Sequence, residues 1–259
     1  ECNQMIHSIA MNLKDLGIKK GAVAAFYPTH TIPTPLIFFA LYRLKAIACP
    51  LNTYLPKELV AKQLNQLQAT CFLYPDYLNI STLNTPAIPF SRLLIKSTCQ
   101  TGKYFYHKES LGTYLFTSGT SNAPKIACLS MGNFYYSALG SNPYCFLERC
   151  DRWHLSLPLY HVAGISILFR CFLKGAAVIL SKKKLSAEEL LKSQTTHLSY
   201  VPTQLDALLK YNSMHLKLLS KQLKCLLIGG APLSPFLYRE GIKYGLKLYL
   251  TYGMTEMSS

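Results

Sequence analysis

The sequence predicts an α/β protein whose sheets are mostly parallel and buried. Short apolar runs alternate with stretches of helical period along most of the 259 residues, and Gly or Pro punctuates the alternations. Half the residues are apolar and only 15% are charged, a balance that supports a sizeable core and argues against a disordered chain.

Residues 3–16 repeat apolar side chains at Met5, Ile9, Leu13 and Leu16 and stop at Gly17, which predicts a helix with a C-terminal glycine. Residues 22–27 read as a buried strand, 32–46 as a helix apolar nearly all round, and 56–68 as a helix that starts on proline. A short strand follows at 71–74. Periodicity fades over 75–110, where Pro75, Pro86 and Pro89 interrupt the chain, and a lobe boundary is expected there. Alternation resumes with a strand at 113–117, a helix from Ser130, a strand at 153–157, a helix at 162–174 and a strand at 176–180. Ser186 and Glu189 have capping-box spacing for the next helix. Strands at 197–200, 224–228 and 246–251, with helices at 202–210 and 235–244, complete the pattern. In such sheets chemistry gathers in the loops at the carboxyl ends of strands.

Lys plus Arg is 27 against 12 for Asp plus Glu, a formal charge of +15 that invites a polyanion. The sharpest basic run, Lys182 to Lys184, is short and reads as a solvated loop. No RNP-type aromatic motif, zinc-finger spacing or basic-region helix occurs, so no dedicated nucleic-acid partner is expected. Nine cysteines without CxxC spacing read as reduced core thiols of a cytoplasmic protein. The longest apolar stretches end at Arg43 and Arg170, too short for a membrane span, and no signal peptide is visible. The missing initial Met and the abrupt end after Glu256 suggest a fragment.

Three strand ends carry unusual residues. Thr117-Ser118-Gly119-Thr120-Ser121-Asn122-Ala123-Pro124-Lys125 places hydroxyls, a glycine and a terminal lysine after a strand. Backbone N–H groups and hydroxyls in such a turn can wrap phosphate oxygens; a polar surface turn has the same composition. It is not a Walker A loop, because Pro124 stands where that motif needs glycine before lysine. Tyr252-Gly253-Met254-Thr255-Glu256 sets a carboxylate beside a hydroxyl, which suits a hard cation or a capped strand end. Within Leu157-Pro158-Leu159-Tyr160-His161-Val162-Ala163-Gly164, His161 is either a site residue or a packing histidine. Arg170, nine residues later on a predicted helix between Phe169 and Cys171, reads on its own as a snorkelling surface cation.

The stretch Phe116 to Lys125 resembles the phosphate-binding signature of the adenylate-forming superfamily, usually TSGTTGxPKG, with Ser121, Asn122 and Ile126 departing from it. Two further motifs fall in that family's order: Gly229-Gly230-Ala231-Pro232-Leu233, and the segment Tyr252 to Glu256. The run from Pro158 to Arg170 is most similar to the o-succinylbenzoate-CoA ligase family of menaquinone biosynthesis. The resemblance implies the large N-terminal domain of the adenylate-forming fold, with stacked, mostly parallel sheets and helices on both faces. Residues 1–259 would form an incomplete core domain, its small C-terminal domain absent.

It further implies that ATP activates a carboxylic acid as an acyl-adenylate and that the thiol of CoA then takes the acyl group, with Mg2+ as cofactor. Thr117, Ser118, Gly119, Thr120, Ser121 and Lys125 would cradle phosphates. Gly229, Gly230 and Ala231 would line the adenine and acyl site, and Tyr252, with Gly253 and Met254 after it, would stack on adenine. Thr255 would contact phosphate and Glu256 hold magnesium; Lys125, Thr255 and Glu256 are the catalytic candidates. His161, Ala163 and Arg170 would bind the acyl substrate. Without the family's ribose-binding Asp and C-terminal Lys, the fragment should catalyse poorly. Another acyl- or aryl-CoA synthetase, a non-catalytic relic of the fold, and a homo-oligomer all stay open.

Overall fold

A computed structural model describes residues 1–78, 80, 83–95, 104, 106–117, 124–181 and 185–259. The expected phosphate-loop residues Ser118, Gly119, Thr120, Ser121 and Asn122, and the basic run Lys182 to Lys184, lie outside the described residues. The chain forms two compact units, Glu1–Asn133 and Phe134–Ser259. The stretch 75–110, expected to hold a lobe boundary, lies inside the first unit. Its short strand pairs with the neighbouring sheet and ties it there.

The first unit holds helices α1 (Cys2–Asp15), α2 (Pro33–Arg43) and α3 (Lys57–Gln66), and strands β1 (Val23–Phe26), β2 (Ile47–Pro50), β3 (Cys71–Tyr74), β4 (Ala87–Pro89), β5 (Leu111–Thr117) and β6 (Lys125–Ser130). Strand order is β4-β3-β1-β2-β5-β6, parallel except for the last pair. Successive strand residues face opposite sides, so the burial of Ala24, Ala25 and Phe26 alike means that both faces of β1 are covered. Ala25, Cys49 and Phe72 pack with Val60 and Leu64 of α3. On the other face Phe26 meets Phe38 of α2 edge to face at 5.0 Å.

The second unit holds α4 (Met131–Cys145, its first turn in the first unit), β7 (Arg152–His154), α5 (Val162–Lys174), β8 (Ala177–Ile179), α6 (Ala187–Lys192), β9 (His197–Tyr200), α7 (Pro202–Leu209), α8 (Ser213–Gln222), β10 (Cys225–Ile228), α9 (Pro235–Lys243) and β11 (Leu248–Leu250). Its sheet is wholly parallel, in the order β11-β10-β9-β7-β8. Leu198, Tyr200, Leu226 and Ile228 share one face with leucines of α6, α7 and α8. His197 and Ser199 point the other way, toward α4, α5 and the fully buried Trp153. The predicted capping box forms: the Glu189 amide donates to Ser186 Oγ at 3.2 Å and the Ser186 amide donates to Glu189 Oε2 at 2.8 Å.

Among the described residues no helix is long and apolar enough to cross a membrane, and no three His, Cys, Asp or Glu side chains converge as a metal cluster. Cys49, Cys71, Cys145, Cys171 and Cys225 are buried free thiols, whereas Cys2, Cys128 and Cys150 are exposed.

Candidate functional site

A cleft of about 580 Å³ opens in the second unit at the carboxyl ends of β9, β10 and β11, the edge where the topology of a parallel sheet leaves backbone groups free for ligands. Its floor is glycine for steric reasons. A Cβ on Gly229 would stand 2.7 Å from Cγ2 of Thr251, and Gly230 has φ of +80°, a left-handed angle that side chains disfavour. The backbone is therefore bare there, and a flat group can lie against it.

One wall is the first half of α5. His161 is its N-cap, in extended conformation, and Gly175 ends it at φ of 68°. Gly164 lets the helix start close to the preceding loop: a Cβ there would lie 2.3 Å from the carbonyl oxygen of Pro158. The His161 amide donates to that same oxygen at 3.1 Å, so loop and helix are locked together. His161 is exposed to the cleft, and desolvation of its inner side lowers the imidazole pKa, favouring the neutral ring.

Arg170 sits about two and a half turns beyond His161 on the same helix and also lines the cleft. It is only 8% exposed, so the snorkelling alternative fails. Its Nε donates to Ser141 Oγ at 2.8 Å, and its guanidinium carbon lies 5.5 Å from the centre of the Trp153 ring. Burial lowers its pKa from the ordinary guanidinium value, while the thiols of Cys145, Cys225 and Cys171 act the other way. Among the described residues no carboxylate forms an ion pair with it. A buried cation without a counter-charge is costly, so the site is poised for an anion.

The cleft brings together His161, Ala163, Arg170, Gly229, Gly230, Gly253, Met254 and Thr255 from the residues singled out in the sequence. Ala231, Tyr252 and Glu256 are outside its lining; Tyr252 is 93% exposed and Glu256 stands on an exposed 3-10 turn, Thr255–Met257. Thr117 and Lys125 belong to the first unit, where they face each other across the antiparallel β5–β6 ladder and so close the base of the intervening loop. Sequence reasoning missed Ser166, Ser199, Gln204 and Thr251 of the lining. Their signal was positional: Ser199 and Gln204 flank the end of β9, and Ser166 follows Val162 by one turn and donates to its carbonyl at 2.9 Å.

Two oxygen donors in sequence, half-buried Thr255 and exposed Glu256, with no metal cluster beside them among the described residues, fit a cation that takes most of its ligands from phosphate and water. The bare glycine floor likewise fits a flat base or acyl group.

A parallel sheet with a glycine-floored cleft at its carboxyl edge is the architecture of many nucleotide-binding enzymes, and the chain belongs to the AMP-binding enzyme family, whose model matches residues 1–259. It is 28% identical over 264 residues to 2-succinylbenzoate–CoA ligase of Bacillus mycoides (strain KBAB4), covering 100% of this chain and 54% of that protein. O-succinylbenzoate coenzyme A synthetase of Bacillus subtilis, solved with ATP and magnesium ion, superposes with a TM-score of 0.90 at 26% identity, covering 100% of this chain and 55% of that one. The same enzyme with AMP gives a TM-score of 0.88 at 26% identity, covering 100% and 68%. The chain spans about half the length of the curated relatives it matches. The resemblance to adenylate-forming enzymes, and the fold class it implied, are borne out.

Proposed function

We propose that the protein takes part in ATP-dependent activation of an aromatic dicarboxylic acid, o-succinylbenzoate, as its acyl-adenylate, followed by thioester formation with CoA. The observation that carries this reading is Arg170: a guanidinium buried in the wall of the cleft with no carboxylate partner among the described residues. A substrate with two carboxylates would present one to ATP and leave the other for this arginine, whose planar fork matches a carboxylate.

In this reading one substrate carboxylate attacks the α-phosphate of ATP, forming the acyl–phosphate bond as pyrophosphate leaves. The thiol of CoA then displaces AMP and carries away the acyl group. The first step needs positioning and charge neutralisation more than covalent help. Gly229 and Gly230 let the adenylate approach the sheet edge, and His161, largely neutral, packs against the acyl group without adding charge. Tyr252 would stack on adenine, Thr255 would contact phosphate, and Thr117 and Lys125, at the base of the loop, would bring a hydroxyl and a cation to the phosphates. Magnesium, held by Glu256 and the phosphate oxygens, would neutralise charge on ATP.

The test is ATP–pyrophosphate exchange in the intact protein. Exchange should require magnesium and o-succinylbenzoate, and should drop by at least tenfold for Glu256→Ala. Exchange that ignores the acid supplied, or that survives that substitution unchanged, would contradict the proposal.

A further inference from the structure

We propose that Ser141 is a positioning residue for Arg170, fixing which edge of its guanidinium faces the cleft; this rests on the carboxylate-binding reading of Arg170 above. Ser141 lies on α4, across the cleft wall from α5, and sequence motifs give it no role. Its hydroxyl proton is already committed: Oγ donates to the Ala138 carbonyl at 3.3 Å, one turn back along the helix. An oxygen lone pair is thereby left to accept the Nε–H of Arg170 at 2.8 Å. The bond thus has a fixed polarity, serine as acceptor and arginine as donor.

Four further contacts support this geometry. The guanidinium lies over Trp153, which is fully buried. The Trp153 indole N–H donates to Ser199 Oγ at 3.2 Å, and its ring packs on His197 with centroids 5.1 Å apart. His197 in turn is anchored to the end of α4 through its Nε2 and the Cys145 carbonyl, 2.8 Å apart. A planar guanidinium held through Nε in its plane and flanked by an aromatic ring has its orientation restricted. Its two terminal amino groups are the remaining donors, and they form the edge a carboxylate accepts in bidentate fashion.

The consequence is that selectivity for a carboxylated substrate depends on a hydroxyl that never touches the substrate. Without Ser141 Oγ the Nε–H loses its acceptor, and the long side chain regains torsional freedom. A hydrogen bond to a charged group is worth about tenfold in an equilibrium.

The test is calorimetric binding of two non-hydrolysable acyl-adenylate analogues to the protein, one keeping the free carboxylate on its aromatic ring and one lacking it. The ratio of the two Kd values is compared for the wild type, Ser141→Ala, Ser141→Thr and Arg170→Met. The expected result is a ratio that falls about tenfold in Ser141→Ala at unchanged affinity for the analogue without the carboxylate, and that recovers in Ser141→Thr, which restores the hydroxyl. A Ser141→Ala ratio equal to the wild type, with Arg170→Met still losing it, would overturn the positioning role and leave the carboxylate reading intact. Equal weakening of both analogues in Ser141→Ala would show a merely structural serine and overturn the proposal. A wild type that does not discriminate would overturn the carboxylate reading and this proposal with it.

Discussion

Gly164→Ala is the substitution whose effect follows most directly from the geometry. The added Cβ would meet three backbone atoms: Pro158 O at 2.3 Å, Pro158 C at 2.7 Å and Leu157 O at 2.8 Å. Ordinary C···O contacts need about 3.3 Å, so helix and loop must part by about 1 Å. Neither can yield by a rotamer change, and the His161 amide holds Pro158 O at 3.1 Å. Overpacking of this kind costs about 2 kcal/mol, which for a chain of this size lowers Tm by roughly 4–8 °C. The control is Gly140→Ala on α4, where a Cβ meets nothing within 4 Å. Relief of glycine's backbone entropy should there stabilise by about 0.5–1 kcal/mol. Thermal unfolding of both variants beside the wild type is the assay. A Gly164→Ala protein as stable as the wild type, or effects of equal sign at both glycines, would refute the reasoning.

Three other outcomes are expected. Asp151→Asn should destabilise by about 1–3 kcal/mol in denaturant titrations, because the buried carboxylate accepts from the Glu148 amide at 2.9 Å and pairs with half-exposed Lys224 at 3.0 Å. Burial alone would raise its pKa, but Lys224 and the Glu148 amide outweigh this and hold it below the usual carboxylate value. The difference from wild type should therefore be full above about pH 5 and shrink as pH falls below about 4; a difference that grew in acid would contradict the assignment. Asn142→Leu should stabilise by about 1–2 kcal/mol on thermal unfolding, since the side chain is buried with neither amide atom hydrogen-bonded among the described residues, on the stripe that also buries Phe134, Ala138 and Cys145. Iodoacetamide at neutral pH should label Cys2, Cys128 and Cys150 well before the buried thiols, among which burial pushes Cys71 and Cys171 up to about 12; mass mapping that finds Cys171 among the first would contradict the packing.

Much of the fold was legible because local chemistry and tertiary role agree. The helix Val162–Lys174 ends at a glycine in left-handed conformation, and β10 reads as an unbroken apolar run, Cys225 to Ile228. Four elements were not read. Strand β2, Ile47–Pro50, follows so directly on the apolar helix expected over 32–46 that no polar break separates the two. Strand β4 is three residues that become a strand only by pairing with β3. Strand β6 follows the loop candidate so closely that its residues, Lys125 to Ser130, look like loop end and helix start; antiparallel pairing with β5 decides the matter. Helix α8 did carry a signal, Asn212 accepting from the Met214 amide at 2.8 Å ahead of the buried leucines Leu216 and Leu219.

The site divides in the same way. Gly229 and Gly230, which have a backbone reason to be glycine, line one cleft together with His161 and Arg170. What the sequence could not reveal is the company Arg170 keeps, because Ser141, Trp153 and Cys225 come from distant segments and meet only through packing. That company turns an ambiguous helix arginine into a buried, oriented cation.

The most direct measurement is a crystal structure of the protein with a non-hydrolysable o-succinylbenzoyl-adenylate analogue. The free carboxylate is expected in the cleft, with its oxygens about 2.7–2.9 Å from the terminal nitrogens of Arg170 and the adenylate along Gly229 and Gly230. An analogue bound with that carboxylate in solvent, and Arg170 paired to no part of it, would rule out Arg170 as the carboxylate-binding residue.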